Sequence, residues 1–394
     1  KEIRLNAEHE LNHLIKRHYT AVEVAKRNSD VASSINELVL ERDKLLCESL
    51  LTPNGGRPKW VVESIAKIKA DIRSYGKDGL YAYFYHYFEG ITPRDCEKTI
   101  GKFTYQNRAL YNFFSIVCNE MGIKLKEIND DLNLSSRAQV LAQCILYIDT
   151  SANETSVRYL QHDCLVTEAV ELKGNTEKRI HTYTDVKNRA NEAKYKPLVF
   201  TDDPNEKRID MLVFSGDEKI ELSVPAVIEY LQSATKNYRK HTLKEHEGRM
   251  FLTMNKNNGK HKSYIPTPLS GGRNTRLFGE IVAELTMGAL KVPPNIIRQS
   301  TMQLTALLTK DPLKVKEQGR HSQVGSATAY LQHLAIQFGN ELDIREFQAA
   351  LEALVTVDTA KFIEFAGVNE DSYLQSVEQS KRILQSHFGG VYCS

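Results

Sequence analysis

The sequence predicts a mostly α-helical chain with a small β-sheet, an α+β fold in at least two domains. Three observations lead there. Apolar residues recur three and four apart through residues 1–50, 104–123 and 135–148, the spacing of one buried helix face. Alternation of apolar and polar residues is confined to short segments, above all RIHTYTDVKNRA (179–190), where a strand or hairpin is expected. At 394 residues the chain is also longer than one core usually organises, since length over about 150 gives a soft domain count.

Each element follows in order. LNAEHELNHLIKRHYTAVEVA and SSINELVLERDKLLCESLL read as helix, and TPNGGRPK (52–59) is a turn cluster and the first boundary. Two or three further helical stretches run from Trp60 to Ile123, parted by EGITPRD (89–95). There Thr92 and Pro93 stand as N-cap and first-turn proline. TYQNRALYNFFSIVCNEMGI (104–123) is an amphipathic helix ending near Gly122, its aromatic stripe expected in the core. Composition shifts after Asp131. Helix SSRAQVLAQCILYI (135–148) leads into shorter segments at 179–190, KPLVFTD (196–202) and KIELSVPAVIEYL (219–231). A basic, glycine-containing stretch at 255–273 ends in SGGRN, and from Thr275 the chain is again mostly helical. There is no internal repeat, heptad array or low-complexity tract.

Composition excludes several classes. Hydrophobic residues make up 41% and charged residues 26%, so disorder over most of the length is not expected. Mean hydropathy is −0.42, and no run of about 18 apolar residues offers a spanning helix. The segment KEIRLNAEHELNH lacks the basic-then-apolar layout of a signal peptide. Cysteines stand singly at 47, 96, 118, 144, 164 and 393, which reads as reduced intracellular thiols in a cytoplasmic protein. A net charge of +2 neither demands nor excludes nucleic acid. Local basic clusters at 239–244, 256–262 and 310–316 read singly as solvated faces. No P-loop, GxGxxG, HExxH or GxSxG occurs, and no cofactor is implied. His9 and His13 lie four apart on a helix, but no third metal ligand is in view.

One constellation stands out: PPNIIRQSTMQLTALLTKDPLKVKEQGRHSQVGSATAYL (293–331). It holds an arginine opening an apolar helix, a loop at KDP, a short helix, a Gly-Arg-His turn, and a tyrosine nine residues past the histidine. This segment resembles the C-terminal active-site region of tyrosine recombinases, the phage-integrase family. The resemblance places that family's second arginine on Arg298, its Gly-His histidine on His321 and its nucleophile on Tyr330. TDVKNRA (184–190) resembles the family's hairpin lysine segment and puts that role on Lys187. A second possible hairpin, KNNGKHKSYIPTP (256–268), offers Lys260 or Lys262 instead. ILYIDTSANETSVRYL (145–160) resembles the segment that carries the first arginine. Helix 104–123 resembles the last helix of the family's core-binding domain. The likeness spans roughly residues 60–335.

Physical chemistry gives these residue types their reason. Breaking a DNA phosphodiester without a metal needs a nucleophile that can hold the phosphoryl group covalently. A tyrosine oxygen can attack and later leave, so the bond energy is kept for rejoining. Charge on the non-bridging oxygens wants arginine's planar fork, and the departing 5′ oxygen wants a proton, for which a lysine serves. Histidines beside the phosphate add hydrogen bonds and acid–base capacity.

Two positions depart from the pattern. Asn153 stands where the family has its first arginine, with Ser151 at its glycine. Asn295 stands in place of the first histidine. Loss of a guanidinium from a phosphoryl-transfer site costs on the order of several kcal/mol. Arg158, five residues on, is the alternative should the register shift. Gly319 also lies one place early, with Arg320 before His321.

The implied architecture is a helical N-terminal extension (1–55), a helical core-binding domain (56–130), a tyrosine-recombinase-type catalytic domain (131–338) and a helical tail (339–394). Double-stranded DNA is the implied partner, with a homo-oligomer, a tetramer in the family, assembled on it and no membrane involved. A mobile element of bacterial or phage origin is the implied setting. Three functions compete: an active integrase or recombinase cutting through a 3′-phosphotyrosyl intermediate, an inactive relative that binds DNA, and a helical scaffold in which the motif is coincidence.

Overall fold

The N-terminal periodicity becomes two long helices, α1 (Glu2–Arg27) and α2 (Ser29–Ser49), parted by a single turn residue, Asn28. The computed structural model describes residues 2–49, 58–91, 105–172, 176–187, 193–194, 198–202, 222–256, 264–309 and 311–319, with isolated positions at 344, 345, 348, 375, 378 and 382. Two compact units divide the chain, 1–298 and 299–394.

Within the first unit the helices continue as α3 (Lys59–Ser74), α4 (Gly76–Phe88), α5 (Tyr105–Glu120), α6 (Leu125–Leu132) and α7 (Ser136–Thr150). Of the break expected at 89–95, residues 89–91 are described. Glu89 and Gly90 both take positive φ, 56° and 79°, ending α4, while Thr92 and Pro93 lie outside the described residues. Gly122, at φ 73°, follows α5 in the left-handed region that glycine enters without a Cβ penalty. Ser135 caps α7, its side chain accepting from the Ala138 N–H at 3.0 Å.

After the short helix α8 (Glu154–Arg158) come β1 (Leu165–Leu172), β2 (Thr176–Tyr183), β3 (Val186–Lys187), β4 (Ala193–Lys194) and β5 (Leu198–Asp202). Strands β1, β2 and β5 form one antiparallel sheet in that order, with Val166 opposite Thr182 and Thr182 opposite Val199. Strands β3 and β4 pair as a hairpin, Lys187 opposite Ala193. Helix α9 (Val224–Arg239) follows. The segment 219–231, read as one short element, therefore contains the start of a 16-residue helix. Hairpin β6 (Thr253–Lys256) and β7 (Tyr264–Thr267) bears out the second hairpin, although Lys260 and Lys262 lie outside the described residues. Helix α10 (Gly271–Leu285) and helix α11 (Pro294–Thr309) come next, the latter running past the unit boundary at Arg298. In the second unit helix α12 (Pro312–Gly319) is capped by Asp311, whose Oδ1 accepts from the Leu313 N–H at 2.8 Å.

Two apolar clusters organise residues 1–298. One gathers α2 to α6 around an aromatic centre in which Phe114 lies 5.2 Å from Tyr83 and 5.0 Å from Phe84. The other gathers α7 to α10 with Tyr183 of β2. Helix α1 serves both: Ala7, Leu11 and Ile15 join the second, Ala21 and Ala25 the first. These residues form one stripe at helical spacing along a helix about 39 Å long at 1.5 Å per residue. Arg4 fixes the start of α1, binding Asp149 at 3.0 Å and donating to the Leu222 carbonyl at 2.7 Å, while buried Glu8 accepts from the Leu222 N–H. The first helix is thus structural in both clusters.

Where the clusters meet, His18 is buried and its Nδ1–H donates to the Asp131 carbonyl at 3.1 Å. Its ring meets Tyr19 and Tyr230 edge-on at 5.3 and 5.9 Å. Burial lowers its pKa to about 4, against the opposing pull of the Asp131 carbonyl and carboxylate. Between pH 6.5 and 4 the unfolded chain therefore binds a proton that the folded chain refuses. Stability contributed by neutral His18 is full above the unfolded value and falls as the pH drops through that window. A loss of about 2 kcal/mol from this group is expected by pH 5. Urea unfolding at pH 7 and pH 5 of the parent and a His18→Gln variant checks it, the variant losing less on acidification.

Candidate nucleic-acid site

The site begins with a turn. Helix α7 stops at Thr150, whose Oγ1 donates back to the Leu146 carbonyl at 2.6 Å and accepts from the Ala152 N–H at 3.3 Å. Ser151 then takes φ 48°, a left-handed conformation that costs a residue with a Cβ roughly 1–2 kcal/mol. This is the position at which the resembled motif has glycine. Asn153, half-buried, stands immediately before α8, and the Val157 N–H donates to its carbonyl at 3.1 Å.

Arg298, on the second turn of α11 and 8% exposed, reaches this turn and donates from Nη1 to the Ser151 carbonyl. Two segments 147 residues apart are thereby joined at one point. Asn295 lies one helical turn earlier on α11 and is exposed. Helix α8 packs against β3, the strand that carries Lys187. The side chain of Lys187 lies outside the described residues, as do His321 and Tyr330. Of the six residues singled out in the sequence, the structure brings Asn153 and Arg298 to one turn, with the backbone of Lys187 on the strand beside α8.

Arg158 has its own setting. Its guanidinium lies 3.6 Å from Glu154, donates to the Tyr159 hydroxyl at 3.1 Å and sits 5.0 Å from the Tyr159 ring centroid. Gly271, at the start of α10, lets it in: a Cβ there would stand 2.8 Å from Arg158 Nη1. Arg249 sits 4.1 Å from the same ring and donates to the Tyr159 carbonyl at 3.1 Å. Burial holds Arg249 below the usual guanidinium range; Tyr159 opposes that shift and Arg158 adds to it. Two guanidiniums around one aromatic ring can neutralise phosphate oxygens and stack on a base. Sequence reading missed this cluster because Arg249 lies 90 positions from Tyr159 and belongs to no motif.

The basic run 239–244 is largely committed to the protein itself. Arg239 donates to the carbonyls of Glu247 and Arg249 at 2.8 Å, and Lys240 and His241 both meet Glu89 at 2.8 Å. Lys240, with His241 adding to it, holds the Glu89 carboxyl below its ordinary range. Most of the cluster at 256–262 and Lys310 lie outside the described residues. Among the described residues no three His, Cys, Asp or Glu side chains converge, and no helix is long and apolar enough to cross a membrane.

No family model matches the sequence, and no curated protein matches it. Among solved structures the chain is similar to the Tn1549 transposon integrase in complex with transposon right-end DNA, at 14% identity, over 82% of this chain and 98% of that one. The TM-score is 0.28, at which likeness of backbone identifies no fold.

Proposed function

We propose that the chain is a site-specific recombinase of the integrase type, which binds duplex DNA and cuts and rejoins it through a 3′-phosphotyrosyl intermediate. Tyr330 is the nucleophile in this reading, Arg298 and His321 neutralise and hydrogen-bond the scissile phosphate, and Lys187 protonates the departing 5′ oxygen. Asn153 and Asn295 donate amide hydrogen bonds where the family has charge. Residues 56–130 and 131–338 act as its core-binding and catalytic-type regions, with 1–55 as an N-terminal extension and 339–394 as the tail through which copies assemble on DNA.

The observation that carries the reading is the bond from Arg298 to the Ser151 carbonyl. Two motif segments recognised separately in the sequence meet, and the residue at the motif's glycine adopts a glycine-like φ. The experiment is a nicked duplex that traps the covalent intermediate, drawn from the flanks of the protein's own gene. An adduct on a denaturing gel whose DNA-bearing peptide contains Tyr330 is the expected result. Tight duplex binding with no adduct on any flanking fragment overturns cleavage.

A second reading, a DNA-binding relative that does not cut, is favoured by Asn153, which supplies no guanidinium at the turn. The two readings part at Asn153→Arg. In an active but weakened enzyme, the added charge raises the rate of adduct formation by about 10- to 100-fold, the converse of removing one preorganised stabiliser. In the second reading, adduct remains absent from both proteins.

A further inference from the structure

We infer that a pocket between α1 and α4 is a phosphate-binding site. His13, Lys16, Arg17 and Thr20 share one face of α1 at helical spacing, and Lys77 and Tyr81 face them from α4 across a cavity of about 250 Å³. Asp131, its side chain 4% exposed, is the single carboxylate of the lining, against three cationic side chains and a histidine.

That carboxylate is occupied in holding the cations. Its Oδ1 accepts from Arg17 Nη2 at 2.5 Å, and its Oδ2 accepts from Lys77 Nζ at 2.8 Å and from the Tyr81 hydroxyl at 2.5 Å. Arg17 and Lys77 are 42% and 34% exposed, so both remain open to solvent while one buried group fixes their positions. A guanidinium has five N–H donors and an ammonium three, more than Asp131 engages. Preorganised donors converging from two helices, with Lys16 at the rim, suit a tetrahedral oxyanion better than a flat carboxylate. A phosphate can come from two sources, a free phosphate or the backbone of DNA, and only the second depends on the function proposed above.

The test uses the full chain and two variants, Lys16→Gln and the double variant Lys16→Gln/Lys77→Met, each checked for folding by circular dichroism. Calorimetry with inorganic phosphate and pyrophosphate reads the free source. Fluorescence anisotropy with a labelled duplex, over a range of salt, reads the backbone source. Saturable phosphate or pyrophosphate binding that weakens at least tenfold in the double variant assigns the site to a free ligand. Absence of such binding, with duplex affinity falling at least tenfold and a salt slope shallower by about 1, assigns it to one backbone phosphate. If both probes bind the parent and the variants alike, or neither responds to the substitutions, the inference is overturned. Should the chain bind no DNA at all, the phosphate titration decides alone. Lys16→Gln, which leaves the bonds of Asp131 in place, keeps the result readable if the double variant does not fold.

Discussion

Replacing Tyr330 by phenylalanine is expected to abolish the covalent protein–DNA complex while leaving duplex affinity within about twofold. The change removes one oxygen and keeps the ring, so it is conservative toward the duplex binding proposed above. In the proposed reaction the phenolic oxygen attacks phosphorus and leaves again on rejoining, and phenylalanine offers no atom that can form that bond. A loss of at least about 10³-fold in adduct is therefore expected, set by the detection limit of the gel. Anisotropy on the same duplex supplies the control. Adduct formation that persists in Tyr330→Phe would move the nucleophile to another of the chain's 18 tyrosines and sink the assignment built on the nine-residue spacing. Loss of both adduct and binding would mean that the substitution damaged the fold.

How far the sequence alone reaches is uneven, and the reason is the distance over which each feature is encoded. Helix α7 was legible because a Ser N-cap, an apolar run and a break at 151 lie within 17 positions. Alternation marks 179–190 as a strand or hairpin, whereas Lys187 as the hairpin lysine and the second hairpin at 256–268 came from the family resemblance. Strand β1 was not legible, because LVTEAVEL also spaces its apolar residues three and four apart, and Val166 points outward at 54% exposure. The segment 219–231 reads as one short element, whereas its helix runs eight residues further, to Arg239. Pro225 stands on the first turn of α9, two residues after Ser223, whose Oγ accepts from the Ala226 N–H.

The candidate site divides the same way. Asn153 and Arg298 came from the family resemblance, and the structure adds the bond from Arg298 to the Ser151 carbonyl, two residues before Asn153, a backbone group no pattern of side chains announces. The pairing of Arg158 and Arg249 on Tyr159 depends on the end of α8 meeting a segment 90 residues away, and nothing local encodes it. The role of α1 was hidden for a similar reason. Its stripe predicts a buried face, but one stripe does not say that its two halves enter different clusters.

Asp131 shows what that meeting of clusters costs to break. It sits next to the position at which composition changes, a place the sequence marks as a boundary, yet it is 3% exposed and tied to α1, α4 and, through its carbonyl, His18. Substitution by alanine removes one buried carboxylate and three charge-assisted bonds. Arg17 and Lys77 are exposed enough to return to water, so their loss is partly repaid by hydration. Tyr81, 7% exposed, cannot do so, and its hydroxyl is left buried without its acceptor at a cost of about 1–3 kcal/mol, to which a small cavity adds. The expected destabilisation of Asp131→Ala is therefore about 3–4 kcal/mol, toward the lower side of what breaking a fully buried ion pair costs. Asn keeps the shape and one acceptor, and about half that loss is expected. The double variant Asp131→Ala/Tyr81→Phe separates the causes. If the orphaned hydroxyl dominates, removing it recovers about 1–2 kcal/mol relative to Asp131→Ala. Urea midpoints at pH 7 of the parent, Asp131→Ala, Tyr81→Phe and the double variant give the cycle, and a double variant less stable than Asp131→Ala alone would place the cost in the cations instead.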